Sequence, residues 1–380
     1  MEHIVGTVVA AALAAVAVLV IARWKTTEFR PFFRAHMIFD RNTTQSASTP
    51  RPRSDRPGSA SPTPAPGDSL ATPRLHSFLS LGPGGFHRVA YTEWGDPSNP
   101  HVLMCMHGFT RNSRDFDVLA ARMADRYRVV CMDVVGRGAS DWLERKEDYD
   151  YSLYLSDAAA LLARLTAPGA DPSHPAAAMP HAPIVDWIGT SMGGLIGMLL
   201  AAKPNSPIRR LVLNDVGPFI PWPALTRLRN MHLPFDKRFN DMDEVEAHLR
   251  EIFASFGPLD DARWKHVARH SAVQLADGAY ALAYDPGIMN SMNHARKGIE
   301  FGHNFLSGVD LWPVWERVKC PTLVLRGSVS DVLVPSVAED MERRGPKARV
   351  VELPGVGHAP WLMAEDQIAL IREFLLAPAP

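Results

Sequence analysis

Gly189-Thr190-Ser191-Met192-Gly193 is a G-x-S-x-G pentapeptide between the strand-like run PIVDWI and the helix-patterned GGLIGMLLAAK. A serine there stands on a sharp strand-to-helix turn, its hydroxyl pushed out at the carboxyl edge of a sheet, and small flanking residues avoid clashes in the strained turn. The helix that follows points the positive end of its dipole at the site and favours developing negative charge. Nucleophilic attack by such a serine needs a base, and the base needs an orienting acid. His358, in PGVGHAP, follows the last strand-like run and precedes the last helical one. Asp331, in LRGSVSDVLVP just past the preceding strand, is the favoured acid; Asp215, in VLNDVGP one strand earlier, is the alternative. The tetrahedral oxyanion of acyl transfer calls for two N–H donors. Met192, directly after the serine, supplies one, and Phe109, in the loop after MCMHG, is the candidate for the other. Losing one such donor typically costs ~3 kcal/mol of transition-state stabilisation. His107, beside Phe109, reads as a residue that fixes this loop through hydrogen bonds.

Eight strand-like segments must position these groups: 75–81, 86–94, 101–106, 127–133, 183–188, 209–214, 321–326 and 348–353. Several are short Val/Leu/Ile/Met runs without polar alternation, as strands covered on both faces should be. Helical patterns occupy 113–125, 151–165, 192–202, 335–344 and 361–376. Strands alternating with helices predict an α/β fold with a largely parallel sheet, and the opening run of strands predicts an antiparallel entry. Between Asn214 and Pro321 the alternation stops for about 100 residues of helical patterning, too long for a connection, which predicts an inserted helical cap over about 219–318. Residues 166–182 are a Pro/Ala-rich surface insertion.

Taken together, HGFTRNSRDF (107–116), DVVGRGASDW (133–142), DWIGTSMGGLIGM (186–198), LVLNDVGP (211–218), LVLRGSVSD (323–331) and GVGHAP (355–360) make residues 75–378 resemble an α/β-hydrolase-fold enzyme. The likeness is to a serine hydrolase and esterase branch of bacterial hydrolases. It implies a mostly parallel eight-stranded sheet with helices on both faces, a helical cap over the pocket, no metal and no organic cofactor. It also implies Ser191, Asp331 and His358 as catalytic residues, with Phe109 and Met192 as oxyanion donors. Haloalkane dehalogenases and epoxide hydrolases are similar but use an aspartate where this chain has Ser191. Ring-fission C–C hydrolases share the S-M-G-G elbow but carry Gly-Pro-Gly after the His-Gly pair, where this chain has Phe-Thr-Arg-Asn. The H-G-G-G-type loop of many lipases is absent as well. The expected activity is hydrolysis of carboxylic esters with apolar acyl or aryl groups through an acyl-enzyme. The alternatives are C–C bond, lactone or hydroxyalkanoate-oligomer hydrolysis on the same residues, or ligand binding without turnover. The cap residues Met231, Met242, Met289, Met292, Phe253, Phe256, Phe301, Phe305 and Trp264 would suit an apolar pocket, although amphipathic helices need such residues merely to pack. His294, Arg296 and His303 read more readily as a solvated face than as substrate contacts.

The 380 residues carry a formal net charge of −1, which argues against a nucleic-acid partner. The charge is uneven: residues 1–74 carry +4 and the remainder −5. Ile4–Ala22 is a run of 19 uncharged residues, about 28 Å long as a helix, and Arg23, Lys25, Arg30 and Arg34 follow it. This predicts an anchor over 1–25 in the inner (cytoplasmic) membrane with the body on the cytoplasmic side; a cleaved signal or an extension ahead of a start at Met37 are the alternatives. Residues 26–74, rich in Pro, Ser and Thr, read as a tether, and 75–380 as the hydrolase body. Cys105, Cys131 and Cys320 have no C-x-x-C spacing and read as buried, reduced thiols.

Overall fold

Eight strands line up in the spatial order β1-β2-β4-β3-β5-β6-β7-β8: β1 (Arg74–Gly82), β2 (Gly85–Trp94), β3 (His101–Met106), β4 (Arg128–Met132), β5 (Ile184–Thr190), β6 (Ile208–Asn214), β7 (Thr322–Gly327) and β8 (Arg349–Leu353). The computed structural model describes residues 72–166, 184–289 and 307–378. The chain divides into two units, Met1–Thr63 and Pro64–Pro380, and every described residue belongs to the second. β1 runs antiparallel to β2, and β2 to β4, whereas the remaining pairings are parallel. The expected α/β-hydrolase fold, antiparallel entry included, is the fold observed.

The apolar runs explain why the sheet is covered on both sides. Successive side chains of a strand point to opposite faces. On β3, Val102, Met104 and Met106 enter one apolar cluster while Leu103 and Cys105 enter the other. β4 divides in the same way, with Val130 and Met132 on the first face and Val129 and Cys131 on the second. The described helices are α1 (Asp117–Met123), α2 (Tyr151–Thr166), α3 (Met192–Ala201), α4 (Trp222–Met231), α5 (Met242–Ile252), α6 (Asp261–Ser271), α7 (Pro335–Arg343) and α8 (Glu365–Leu376), besides single turns. Helices α2, α3 and α7 cover the first face, and α1 and α8 the second. Truncating a fully buried side chain such as Met104 to Ala would cost about 2–5 kcal/mol.

The interval between β6 and β7 holds α4, α5 and α6, but it is not purely helical. Residues Arg238–Phe239, Tyr280–Leu282 and Ala272–Gln274 form a small antiparallel sheet, and Phe219–Pro221 pairs with Gly308–Asp310. Strands of two or three residues are too short to display a period, so sequence patterning passes over them. The buried side chains of α5 and α6, including Val245, Leu249, Trp264 and Val267, join the first apolar cluster, so this insertion packs on the face that carries α3.

The membrane expectation is corrected. Ile4–Ala22 lies outside the described residues, as does the tether up to residue 71, and among the described residues no helix is long and apolar enough to cross a membrane. The single-pass, inner-membrane assignment and the membrane association that went with it are thus not supported by the described structure. Of the insertion expected at 166–182, Thr166 ends α2 and residues 167–182 fall outside the described residues. Cys105 and Cys131 are fully buried neighbours on β3 and β4, and Cys320 is partly buried; all three are free thiols.

Candidate active site

Ser191 lies between Thr190, the end of β5, and Met192, the start of α3, with φ +51° and ψ −115°, a backbone conformation that residues other than glycine rarely adopt. Its flanking glycines are required by space. A Cβ at Gly189 would lie 2.2 Å from the Gly193 carbonyl oxygen, and one at Gly193 would lie 2.0 Å from that of Met106. The turn is anchored by the Ser191 N–H, which donates to the Asn214 carbonyl at 3.0 Å.

His358 bridges the serine to a carboxylate. Its Nε2 is 2.8 Å from Ser191 Oγ and its Nδ1 is 2.8 Å from Asp215 Oδ2. An ionised carboxylate only accepts, so Nδ1–H donates to Asp215, and Nε2 is left to accept the serine proton. Asp215 has no exposed surface and sits directly after β6 with φ +55°. Its Oδ1 accepts from the Gly327 N–H at 2.7 Å, and its Oδ2 also accepts from the Ser330 hydroxyl at 2.5 Å. Three donors from two further segments thus hold one buried carboxylate.

Asp331, the acid favoured from sequence, stands elsewhere. Its side chain is 45% exposed and takes two hydrogen bonds from Arg227 of α4, at 2.6 and 2.5 Å. Partial burial works against its ionisation, but Arg227 outweighs that and keeps the carboxyl below its usual range. Both aspartates lie past strand ends, and the cap decides between them: the cap cation draws Asp331 outward, while Ser330, one residue earlier, turns inward to Asp215.

The oxyanion-donor candidates Phe109 and Met192 line the same cavity as Ser191. Met192 begins α3, and no described backbone carbonyl takes its N–H or that of Phe109. His107 organises the Phe109 loop. Its Nε2 accepts from the Val134 N–H at 3.0 Å, so Nδ1 carries the proton and donates to the Gly108 carbonyl at 2.7 Å. Gly108 C=O and Phe109 N–H belong to one trans peptide, so drawing the carbonyl toward His107 turns the N–H the other way. Burial, reinforced by Arg137 and Arg111, lowers the His107 pKa to about 3 and keeps the ring neutral.

A cavity of about 150 Å³ opens over Ser191 and His358. The body lines it with Leu195, Leu199 and Trp361, and the cap with Leu228, Met231 and Phe256, so the wall is mostly apolar. The Phe256 ring lies 6.5 Å from the His358 ring and 5.1 Å from that of Trp361. Of the cap residues singled out from sequence, Met231, Phe253 and Phe256 line the cavity. Met242, Met289 and Trp264 pack into the core. Met292, His294, Arg296, Phe301, His303 and Phe305 lie outside the described residues. Sequence reasoning missed Ser330, Trp361 and His232. The first is a polar residue in a loop, and the other two reach the cavity only through tertiary packing.

One further cluster lies at the seam between α1 and α6. Asp117, His266 and His270 bring potential metal-ligand atoms within 4.8 Å of one another. Arg114 donates to both Asp117 oxygens at 2.5–3.0 Å and lies 3.4 Å from His270 Nδ1, so a guanidinium fills the place a cation would take.

Comparison with known proteins agrees with this fold. The sequence model described as "Alpha/beta hydrolase family" matches residues 102–370. A 3-hydroxybutyrate-oligomer hydrolase of Cupriavidus necator is 41% identical over 308 residues, covering 80% of this chain and 98% of that protein. A 2-(acetamidomethylene)succinate hydrolase of Mesorhizobium japonicum is 28% identical over 258 residues, covering 68% and 81%. Among solved structures, an alpha/beta hydrolase from Novosphingobium aromaticivorans superposes with a TM-score of 0.65 at 34% identity, covering 79% of this chain and 98% of that one.

Proposed function

Because this chain belongs to the alpha/beta hydrolase family, we propose that it is a serine-type carboxylic-ester hydrolase with Ser191 as nucleophile, His358 as base and Asp215 as orienting acid. The observation that carries this reading is the continuous hydrogen-bonded line from Ser191 Oγ through His358 to Asp215 beneath an apolar cavity. In the first step Ser191 Oγ attacks the ester carbonyl and passes its proton to His358 Nε2. The carbonyl electron pair moves onto oxygen, which the N–H groups of Phe109 and Met192 receive. His358 then gives its proton to the departing alcohol, leaving an acyl-serine. A water molecule, deprotonated by His358, repeats the sequence and releases the acid. Asp215 holds the imidazole tautomer and stabilises its charged form throughout.

The substrate class we propose is esters of short hydroxy acids, including their linear oligomers. The support is the activity named for the Cupriavidus necator relative and the apolar cavity, which suits a methyl-bearing acyl unit. The test is turnover of 3-hydroxybutyrate dimer and trimer beside p-nitrophenyl butyrate. Wild-type protein should cleave both kinds of ester and the Ser191→Ala variant neither. Cleavage of the p-nitrophenyl ester alone would leave the esterase and remove the hydroxy-acid assignment.

A further inference from the structure

The segment DVVGRGASDW plays no part in the mechanism above, yet it brings a buried cation to the oxyanion site. Arg137 has no exposed surface. Its Nε donates to the Phe109 carbonyl at 2.8 Å, and its Nη1 to the Val135 carbonyl and the Tyr154 hydroxyl at 2.8 and 2.9 Å. Nη2 lies 3.9 Å from the Met192 sulfur, and the guanidinium stands 5.1 Å from the centre of the Phe109 ring. It therefore touches both residues proposed to supply oxyanion N–H groups.

All these partners are neutral, and among the described residues no carboxylate forms an ion pair with Arg137. Elsewhere in the same body, buried Arg128 faces Glu93, and Arg111 faces Asp115. A guanidinium stays charged at any ordinary pH, and burying that charge without a counter-ion is unfavourable. An anion forming nearby would relieve it.

Arg137 also completes the clamp on Phe109. His107 pins the peptide before that residue through the Gly108 carbonyl, and Arg137 pins the peptide after it through Phe109's own carbonyl. With both flanking peptides held, the Phe109 N–H has one direction to point.

We propose that Arg137 is a positioning residue of the oxyanion site: it fixes the Phe109 peptide, and its uncompensated charge biases the site toward the anionic intermediate. The inference rests on the serine-ester-hydrolase reading. It predicts a contribution that grows as the carbonyl oxygen becomes negative and is nearly absent in substrate binding.

The test compares full-length wild type with Arg137→Gln, which can still donate to a carbonyl, and Arg137→Lys, which keeps the charge. The readouts are p-nitrophenyl butyrate kinetics and affinity for an alkyl trifluoromethyl ketone. In that adduct Ser191 Oγ bonds to the ketone carbon, the carbonyl pair moves to oxygen, and the serine proton goes to His358. Arg137→Gln should lower kcat about 100-fold with KM changed less than about threefold, and weaken the ketone by a factor close to the kcat loss. Arg137→Lys should recover at least about tenfold of that kcat. Should the Gln variant fail to fold, the Lys variant decides by whether its kcat and ketone losses match. A folded Gln variant with kcat within threefold of wild type would overturn the proposal, as would a kcat loss without weakened ketone binding. If wild type itself neither turns over the ester nor binds the ketone, the serine-hydrolase reading falls, and the proposal with it.

Discussion

Asp215 Oδ2 lies 2.8 Å from His358 Nδ1, and this contact joins the end of β6 to the loop after β8 across the carboxyl edge of the sheet. Both partners are buried, at 0% and 4% exposure. An ion pair between them in the reacting state is therefore shielded from water, unlike the half-exposed pair of Asp331 with Arg227. Asp215→Asn should lower kcat about 10⁴-fold, since the amide no longer selects the imidazole tautomer, whereas Asp331→Asn should leave kcat within about threefold. Steady-state kinetics of the two variants side by side makes the comparison.

Ser330 donates to the same oxygen of Asp215 that faces His358. Ser330→Ala leaves that carboxylate with one fewer donor, so kcat should fall about tenfold with KM little changed.

The two aspartates show how much of the site was legible beforehand. The serine and the histidine were clear because a G-x-S-x-G turn and a strand-end His mark themselves by local pattern. The eight strands were equally plain, because a strand covered on both faces, as β3 is by Met104 and Leu103, reads as an unbroken apolar run. Asp215 and Asp331 have the same local signature, a carboxylate just past an apolar strand. What separates them is tertiary: Arg227, about a hundred residues away on the cap, pairs with one, while Gly327 and Ser330 close on the other. Arg137 was hidden for the same reason, because nothing in G-R-G-A-S reports that its partners are all neutral.

Acid should unfold this protein through buried neutral histidines. Burial, first, and then neighbouring arginines lower the pKa of His107 to about 3 and of His232 to about 4. In the unfolded chain both return to about 6.5, so between pH 6.5 and those lower values the unfolded state binds more protons and stability falls as pH falls. His107 alone would contribute about 2 kcal/mol of loss by pH 5. Melting temperature measured from pH 7.5 to 4.5 should decline steadily below pH 6.5. His107→Gln, less stable at neutral pH, should show a shallower decline.

Phe256 covers the cavity from the cap, against Trp361 and close to His358. Phe256→Ala should widen the cavity and shift the acyl preference toward longer chains. With p-nitrophenyl esters from acetate to octanoate, the ratio of kcat/KM for octanoate over butyrate should rise about tenfold. An unchanged ratio would mean that the acyl chain does not pass beneath Phe256.

The most direct test of the central claim is covalent capture of the nucleophile. Wild-type protein treated with a fluorophosphonate should gain one adduct, and peptide mass mapping should locate it on Ser191. Asp215→Asn should label far more slowly than Asp331→Asn, and Ser191→Ala not at all. Adduct on any other residue, or undiminished ester turnover by Ser191→Ala, would contradict the account.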